Sequence, residues 1–238
     1  MLHTSDCHLG TSRLPAGEGR EERAFAEALA LARAEQVDAV LVVGDLFDSA
    51  RMSDDTLAWT AEQFDALDCP VVIIPGNHDV FDESSPHHRF DAAARCARAQ
   101  FIDDHAGRLV EVPGTDLVVW GRAMAEHEPT YLPFLGLPSA PSDKWSIAAG
   151  HGLVMEDGPA QRSSPIFDSA LAAIAWDYVA LGHVHRYREV RDHPTPVRYS
   201  GATAEAHGTG NPGVVLVDFV PGVGARPRPI ALSDAVDG

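Results

Sequence analysis

Apolar runs alternate with helix-like stretches along most of the chain, and strand-like segments dominate towards its end. Val40–Val43 and Val71–Ile74 are apolar at every position, as expected for strands buried on both faces of a sheet. Residues 21–35 carry apolar side chains at helical spacing, and Ser53 is a candidate N-cap for a second helix through Leu67. This order predicts an α/β fold in which two packed sheets are flanked by helices.

The same periodicities predict the remaining elements. A hairpin is predicted where Leu109–Val112 and Leu117–Trp120 flank a turn-like segment, and helices are predicted at Phe90–Ala99 and near Phe167–Ala175. Further strands are predicted at Leu2–Ser5, Ile147–Ala149, Tyr178–Leu181, Tyr187–Val190, Val197–Ser200, Val214–Phe219 and Arg226–Ile230. Residues 122–144 are predicted to form a long surface loop or a loose helix, and Glu156–Pro165 a loop.

Length and composition indicate a single domain over residues 1–238, with 45% hydrophobic residues. No apolar run approaches the roughly 20 residues of a membrane span, and the first residues lack a signal-peptide pattern. The three cysteines, Cys7, Cys69 and Cys96, are dispersed, which favours a reduced compartment over a disulfide framework. We therefore expect a cytoplasmic protein.

The formal net charge of −17 bears on possible partners. A protein that follows a nucleic-acid backbone usually has a basic face, but here acidic residues outnumber basic ones 35 to 18. The simplest interpretation is an acidic protein surface, and metal-bound carboxylates would cancel part of the charge. The charge lowers the expectation of unaided DNA binding without excluding it.

Segments with metal-binding side chains stand at the ends of predicted strands. In an open α/β sheet, ligands bind at the carboxyl ends of the strands, so segments far apart in sequence are expected to converge there. Together they supply enough ligands for a two-metal hydrolase. The segments are Asp6-Cys7-His8, Gly44-Asp45-Leu46-Phe47-Asp48, Gly76-Asn77-His78-Asp79, Gly150-His151 and Gly182-His183-Val184-His185.

The residue types suit metal binding, although each has an ordinary alternative. Asp6 and His8 are two residues apart, so an extended backbone directs both side chains to the same side. Asp45 ends an apolar strand, where a carboxylate is costly unless it is paired or metal-bound; the alternative is a helix cap or turn. Asn77 offers a carbonyl oxygen while His78 turns towards the substrate, the alternative being an Asx-turn.

Three histidines at strand ends strengthen the metal interpretation. One such residue is more often a satisfied core histidine, but His151, His183 and His185 occur together with the carboxylates. Zinc patterns of the structural type are absent from the sequence. His87 and His88 follow the third segment and are candidates to line a substrate cleft. The other histidines are expected mostly at the surface: His3, His105, His127, His193 and His207.

The order D-x-H, G-D-x-x-D, G-N-H-D, G-H and G-H-x-H is similar to that of the calcineurin-like metallophosphoesterases, and it spans residues 2 to about 219. The resemblance implies the metallo-dependent phosphatase fold, an αββα sandwich of two sheets. Within that family, His3–Gly10, Gly44–Asp48, Tyr178–Arg186 and Tyr199-Ser200-Gly201 most resemble the SbcD-type nuclease subunits of DNA repair.

Two divalent metal ions are implied by this resemblance. Asp6, His8 and His185 would hold one metal, Asn77, His151 and His183 the other, and Asp45 would bridge them. Oxygen and imidazole ligands suit Mn²⁺ and are compatible with Fe or Zn. His78 would be the general acid that protonates the leaving oxygen, and Asp48 would hydrogen-bond His78 and fix its tautomer. The alternative for Asp48 is an ordinary turn carboxylate.

The sequence therefore predicts a metal-dependent phosphoesterase that acts on a phosphodiester, with DNA ends as a candidate substrate. The main alternative is a phosphodiesterase or phosphatase for a small molecule, such as a cyclic nucleotide or nucleotide derivative. An inert binding subunit would be expected to lack a ligand or His78, but every position is filled. SbcD-type proteins continue into a DNA-contacting cap and a segment that docks on an ABC-type ATPase. Only about twenty residues follow Phe219, so both elements are expected to be missing.

Overall fold

The computed structural model describes residues 1–91, 96, 98–159, 164–204 and 211–233. The strands are β1 (Leu2–Thr4), β2 (Val40–Val43), β3 (Val71–Ile74), β4 (Ala99–Phe101), β5 (Arg108–Glu111), β6 (Leu117–Gly121), β7 (Trp145–His151), β8 (Leu153–Met155), β9 (Pro165–Phe167), β10 (Tyr178–Gly182), β11 (Arg188–Arg191), β12 (Val197–Tyr199), β13 (Gly213–Val220) and β14 (Gly224–Ala231). The helices are α1 (Arg20–Ala34), α2 (Asp54–Asp65), α3 (Pro86–Phe90) and α4 (Asp168–Ala173).

Two six-stranded sheets form the body of the protein. The first sheet has the order β14-β13-β1-β2-β3-β4 and the second has the order β11-β12-β10-β7-β6-β5. Strands β1 to β4 are mutually parallel, as are β6, β7, β10 and β12, so their carboxyl ends gather at one edge of each sheet. The predicted α/β fold with two packed sheets is confirmed, as is the β5–β6 hairpin.

Burial on both faces explains the apolar runs. In β2, Val40 and Val42 pack in the core beneath α1 and α2, while Leu41 and Val43 face the second sheet. This alternation follows from the pleat, which directs successive side chains to opposite faces. The outer face of the second sheet is covered by a third apolar cluster that includes Leu171 of α4. The four layers are therefore helix, sheet, sheet and helix.

The shortest elements differ from the predictions. Residues 92–95 and 97 of the predicted helix Phe90–Ala99 lie outside the described residues, but Ala99 begins β4 instead of ending a helix. A separate helical turn lies at Pro86–Phe90, where Ser85 caps it. Strands β8 and β9 flank the predicted loop Glu156–Pro165 and pair in parallel. Each has only three residues, and neither was predicted from the sequence.

The three cysteines are buried, and their thiols are free. No helix among the described residues is long and apolar enough to cross a membrane.

Candidate metal centre

The loops that carry the predicted ligands are joined by backbone hydrogen bonds at one edge of the sandwich. In the first sheet, the Asp6 N–H donates to Gly44 O at 3.1 Å and the His8 N–H donates to Asp45 O at 3.0 Å. The second sheet is tied to the first by His151, whose Nδ1 donates to Val43 O at 2.9 Å. The convergence expected for strand ends in this fold class thus extends across both sheets.

The backbone is strained at the predicted ligands. Asp6, His8, Asp45 and His183 have φ values of +51°, +49°, +52° and +99°. They are four of the seven non-glycine residues with positive φ in the described part of the chain. Such conformations cost free energy and persist only where the surrounding structure holds them, and they cluster at functional sites.

Glycines permit the close approach of these loops. A Cβ atom on Gly76 would lie 2.2 Å from Asp45 Oδ1, and one on Gly182 would lie 1.9 Å from Val43 O. Neither position can hold a side chain without displacing a ligand loop. The glycine at position 76 thus lets the third ligand loop lie directly against Asp45.

Asp6, His8 and His185 form the first cluster. The Nε2 atoms of His8 and His185 are 3.2 Å apart, and His185 Nε2 lies 3.6 Å from Asp6 Oδ1. Asp6 is buried and accepts the His183 N–H at 3.0 Å as well as the hydroxyl of Ser5. One ligand atom from each of the three residues lies within 4.8 Å of the others, a spacing that fits a shared metal ion.

Asn77, His151 and His183 form the second cluster. Asn77 Oδ1 lies 2.8 Å from His183 Nδ1 and 3.0 Å from His151 Nε2. Because the Nδ1–H of His151 donates to the carbonyl of Val43, its Nε2 is directed into the cluster. This is the arrangement by which an outer hydrogen bond orients a metal-ligating histidine.

Asp45 lies between the two clusters. Its Oδ2 is 3.3 Å from His151 Nε2 in the second cluster and 3.9 Å from His8 Nε2 in the first. Its Oδ1 accepts the backbone N–H of His78 at 2.8 Å. The carboxylate is 1% exposed, so its negative charge needs a partner inside the protein.

The Asp45–His151 contact provides a test of whether the donor set fits a cation. Burial lowers the pKa of His151, but the Asp45 charge and hydrogen bond outweigh burial and raise it to about 9. Burial likewise raises the pKa of Asp45, but the neighbouring His151 holds it below its usual range. At neutral pH and without a metal, a proton on His151 therefore supplies the positive charge that faces the Asp45 carboxylate across 3.3 Å. A divalent cation would take the place of that proton, so the residues fit the implied metals.

The imidazoles of His183 and His185 favour the neutral form that binds metal. Burial, together with the nearby His151, lowers the pKa of His183 to about 4. Burial also lowers the pKa of His185. Neutral imidazole is the form of histidine that ligates metals, so neither residue has to lose a proton near pH 7 before binding one.

The contact between Asp48 and His78 differs from the prediction. His78 Nδ1 donates to the main-chain carbonyl of Asp48 at 3.0 Å, whereas the Asp48 carboxylate lies 3.6 Å away. That carboxylate is closer to His8, whose Nδ1 is 3.2 Å from it. The tautomer of His78 is thus fixed by backbone, and the Asp48 side chain instead faces a predicted metal ligand.

Asp79 is a central residue of the site that the sequence reasoning did not single out. It is fully buried, and its carboxylate accepts the backbone N–H groups of Asp45, Phe47 and Gly76 at 3.2, 3.2 and 2.7 Å. It therefore ties the second and third ligand loops together. Its place as the fourth residue of G-N-H-D was the available signal.

His87, a candidate to line the cleft, lies in the interior instead. His87 is buried, and its Nε2 lies 3.0 Å from Asp79 Oδ2. Its ring stacks on Phe101 with 4.3 Å between centroids, so the residue supports Asp79 from the interior. His88 is exposed, and its Nε2 lies 2.9 Å from Asp82 O.

An open cavity of about 480 Å³ gives access to the first cluster. His78 reaches this cavity with 42% of its side chain exposed, while the neighbouring ligands are largely buried. A substrate can therefore contact His78 and the ligand side chains at the same time. The lining includes Asp6, His8, Arg20, Asp48, His78 and His185.

The profile of the calcineurin-like phosphoesterases matches residues 1–187. Since that match covers well over half of the sequence, the chain belongs to the calcineurin-like phosphoesterase family. The family is one of phosphoesterases, enzymes that hydrolyse phosphoester bonds.

Individual relatives share less than 30% sequence identity with the chain over most of its length. The chain is 28% identical over 244 residues to YhaO, an uncharacterized metallophosphoesterase of Bacillus subtilis, covering 93% of this chain and 58% of YhaO. It is 25% identical over 283 residues to SbcD, a component of the SbcCD nuclease of the same organism, covering 98% of this chain and 69% of SbcD. The solved structure of an archaeal phosphodiesterase superposes with a TM-score of 0.54 at 15% identity, over 97% of this chain and 98% of that one. This last likeness supports the fold alone.

Proposed function

We propose that the protein is a phosphodiesterase that uses two divalent cations, with Mn²⁺ as the first candidate. The observation that carries the proposal is the position of Asp45. A single atom of its buried carboxylate, Oδ2, lies between an imidazole of the first cluster and an imidazole of the second. A carboxylate in that position can bridge two cations a few Å apart. When bound, such cations stabilise negative charge on the phosphoryl group and make water a stronger nucleophile.

Six residues besides Asp45 complete the proposed ligand set. Their oxygen and imidazole donors suit Mn²⁺ and are compatible with Fe or Zn. The first proposed site consists of Asp6, His8 and His185, and the second consists of Asn77, His151 and His183.

His78 is the proposed general acid. Its Nδ1–H is held by the Asp48 carbonyl, which leaves Nε2 to carry and release the proton. In the cationic imidazole, Nε2–H donates to the oxygen that departs from phosphorus, and the ring becomes neutral as that oxygen is protonated. The backbone N–H of His78 is fixed by Asp45, so the acid is positioned by the same residue that joins the two clusters.

DNA ends are the proposed substrate class, on the strength of the likeness to SbcD of the SbcCD nuclease. The net charge of −17 opposes binding to a polyanion, so we propose that action on DNA needs a partner with a basic surface, such as an ABC-type ATPase. The same charge favours a second candidate function, hydrolysis of a small phosphodiester without DNA.

Hydrolysis assays separate these functions. The purified protein with Mn²⁺ is assayed on bis-p-nitrophenyl phosphate, p-nitrophenyl phosphate, cyclic nucleotides and linear duplex DNA, with Asp45→Asn as the control for contaminating enzymes. We expect metal-dependent turnover of the diester by the wild type alone. Failure to hydrolyse any of the four substrates with Mn²⁺, Fe²⁺ or Zn²⁺ would contradict the proposal.

A duplex titration at two salt concentrations tests the partner requirement. We expect weak, salt-sensitive binding by the isolated protein, with Kd no better than roughly 10⁻⁴–10⁻⁶ M. Nanomolar binding without a partner would show that the overall charge is a poor guide to this surface.

A further inference from the structure

The first part of the loop at residues 122–144 is held in place by the Arg122 side chain and Tyr131. The Arg122 side chain donates from Nε to His105 O and from Nη1 to Leu132 O, both at 2.7 Å. Its backbone carbonyl accepts the Tyr131 hydroxyl at 3.0 Å, and its guanidinium lies 5.2 Å from the centre of the Tyr131 ring. These contacts order the loop before any substrate binds.

The backbone beside His127 is anchored as well. The carbonyl of Glu128 accepts the Ser164 N–H at 3.0 Å and the Tyr131 N–H at 3.2 Å. Glu128 N–H donates to Glu126 O at 3.1 Å, which closes a tight turn around His127. An imidazole presented from a fixed backbone loses little conformational freedom when it binds a ligand.

His127 projects this imidazole over the second cluster. Its side chain is exposed, yet its ring lies 5.7 Å from the His183 ring, with 65° between the two planes. His183 in turn contacts Asn77 through Nδ1, so His127 lies outside the inner ligand set. Sequence reasoning could not separate His127 from the other surface histidines, because it follows no strand and belongs to no motif.

We propose that His127 is a substrate-binding residue, whose ring N–H donates a hydrogen bond to a non-bridging oxygen of the phosphoryl group bound beside His183. The proposal rests on the proposed phosphoesterase function and adds a phosphate-binding group to it. Hydrogen bonds to charged oxygens are stronger than neutral ones, and donors positioned in advance need no reorganisation during the reaction. If His127 were only a solvated surface residue, its substitution would have no effect on phosphate binding. If it were a metal ligand, its substitution would cause loss of metal.

The test measures binding of inorganic phosphate to the Mn²⁺-loaded protein by calorimetry. The variants are His127→Ala, the donor-retaining His127→Gln and His127→Asn, and His193→Ala as a matched exposed histidine. We expect His127→Ala to bind phosphate about 10- to 100-fold more weakly, the range for a lost hydrogen bond to a charged group. Its Mn²⁺ content should equal that of the wild type. One donor-retaining variant should recover most of the affinity, and His193→Ala should match the wild type.

Kinetics on bis-p-nitrophenyl phosphate give a second readout, an increase in KM for His127→Ala that the donor-retaining variant reverses. Phosphate affinity of His127→Ala within twofold of the wild type would overturn the proposal, as would loss of Mn²⁺ from that variant. If the wild type fails to turn over the diester, the proposed function fails, but the phosphate titration still decides the role of His127. Absence of phosphate binding to the wild type overturns the proposal for His127 and leaves the proposed function to the hydrolysis assays.

Discussion

The two sheets bring different chemistry to the same edge. Loops of the first sheet supply every oxygen donor of the proposed ligand set and one imidazole: Asp6, His8, Asp45 and Asn77. Loops of the second sheet supply imidazoles alone: His151, His183 and His185. Neither sheet has the donors for both proposed metals, so the complete set exists only when the two sheets are packed together.

The contacts across the edge support this dependence. His151 donates a hydrogen bond to the carbonyl of Val43, and the backbone N–H of His183 donates to Asp6. The Nε2 atoms of His8 and His185 lie 3.2 Å apart. A ligand that binds only the folded state stabilises it, so metal binding should strengthen the packing of one sheet on the other. Four predictions test how the residues of each sheet contribute to the site and to stability, from the largest expected effect to the smallest.

Asp45→Asn should have the largest effect on activity. The substitution keeps the shape of the side chain and removes the charge that faces imidazoles of both sheets. We expect both metals to bind weakly and kcat/KM on bis-p-nitrophenyl phosphate to fall on the order of 10⁴-fold, because the variant loses the stabilisation that the metals provide. Metal content by mass spectrometry and steady-state kinetics check this. Full metal occupancy with a rate within tenfold of the wild type would refute the joining role of Asp45.

His78→Ala should separate chemistry from metal binding. His78 contributes only its backbone N–H to Asp45, so the variant should keep its metals. Loss of the general acid should cost about 10²–10⁴-fold on a diester with a poor leaving group, and less on an activated nitrophenyl ester, which needs less protonation. Equal losses on both substrates would argue against proton donation by His78.

Asp79→Ala should disturb the first sheet alone. It would leave three backbone N–H groups and His87 without their buried acceptor, so we expect the free energy of unfolding to fall by about 3–5 kcal/mol. Urea unfolding measures this loss. Glu111→Gln is the matched control, since that side chain is 74% exposed in its contact with Lys144 and should change stability by less than about 1 kcal/mol. Similar losses in both variants would remove the special role of Asp79.

His3 provides a polar contact between the sheets that depends on pH. Its Nδ1 lies 3.0 Å from the hydroxyl of Tyr178, and burial lowers the pKa of His3 from 6.5 to about 3. Since the folded value is the lower one, the unfolded chain binds a proton first as pH falls. Stability should therefore be lost between about pH 6.5 and pH 3, by at most about 1.4 kcal/mol for each pH unit.

His3→Asn removes this titration and keeps a polar group near the hydroxyl of Tyr178. Urea unfolding of chelator-treated wild type and variant at pH 7, 6 and 5 should give a shallower decline for the variant. Parallel profiles would mean that His3 does not contribute to the acid sensitivity.

The buried strands and the residues that directly follow them were predictable from the local sequence. The runs around Val40–Val43 and Val71–Ile74 are apolar because both faces are buried, and that burial is visible in the residues themselves. The candidate ligands follow such runs directly, so the fold class alone predicts their convergence. Their assignment as metal ligands stays a prediction.

Features that depend on loop geometry were not predictable in the same way. Asp48 contacts His78 through its main-chain carbonyl. Every residue has such a carbonyl, so the residue type at position 48 does not predict the contact. Asp79 acquires three N–H partners only after the loops adopt positive φ values around Asp45. His127 is brought beside His183 by a loop without periodicity. In each case the contact joins residues that are far apart along the chain or lie in an irregular loop, so no sequence pattern predicts it.

A crystal structure of the protein grown with Mn²⁺ and recorded for anomalous scattering tests the two-metal centre most directly. We predict two anomalous peaks about 3.5–4 Å apart, with Asp45 between them. One peak should lie among Asp6, His8 and His185, and the other among Asn77, His151 and His183. A single peak, or peaks away from these side chains, would contradict the claim that the two sheets together build a two-metal centre.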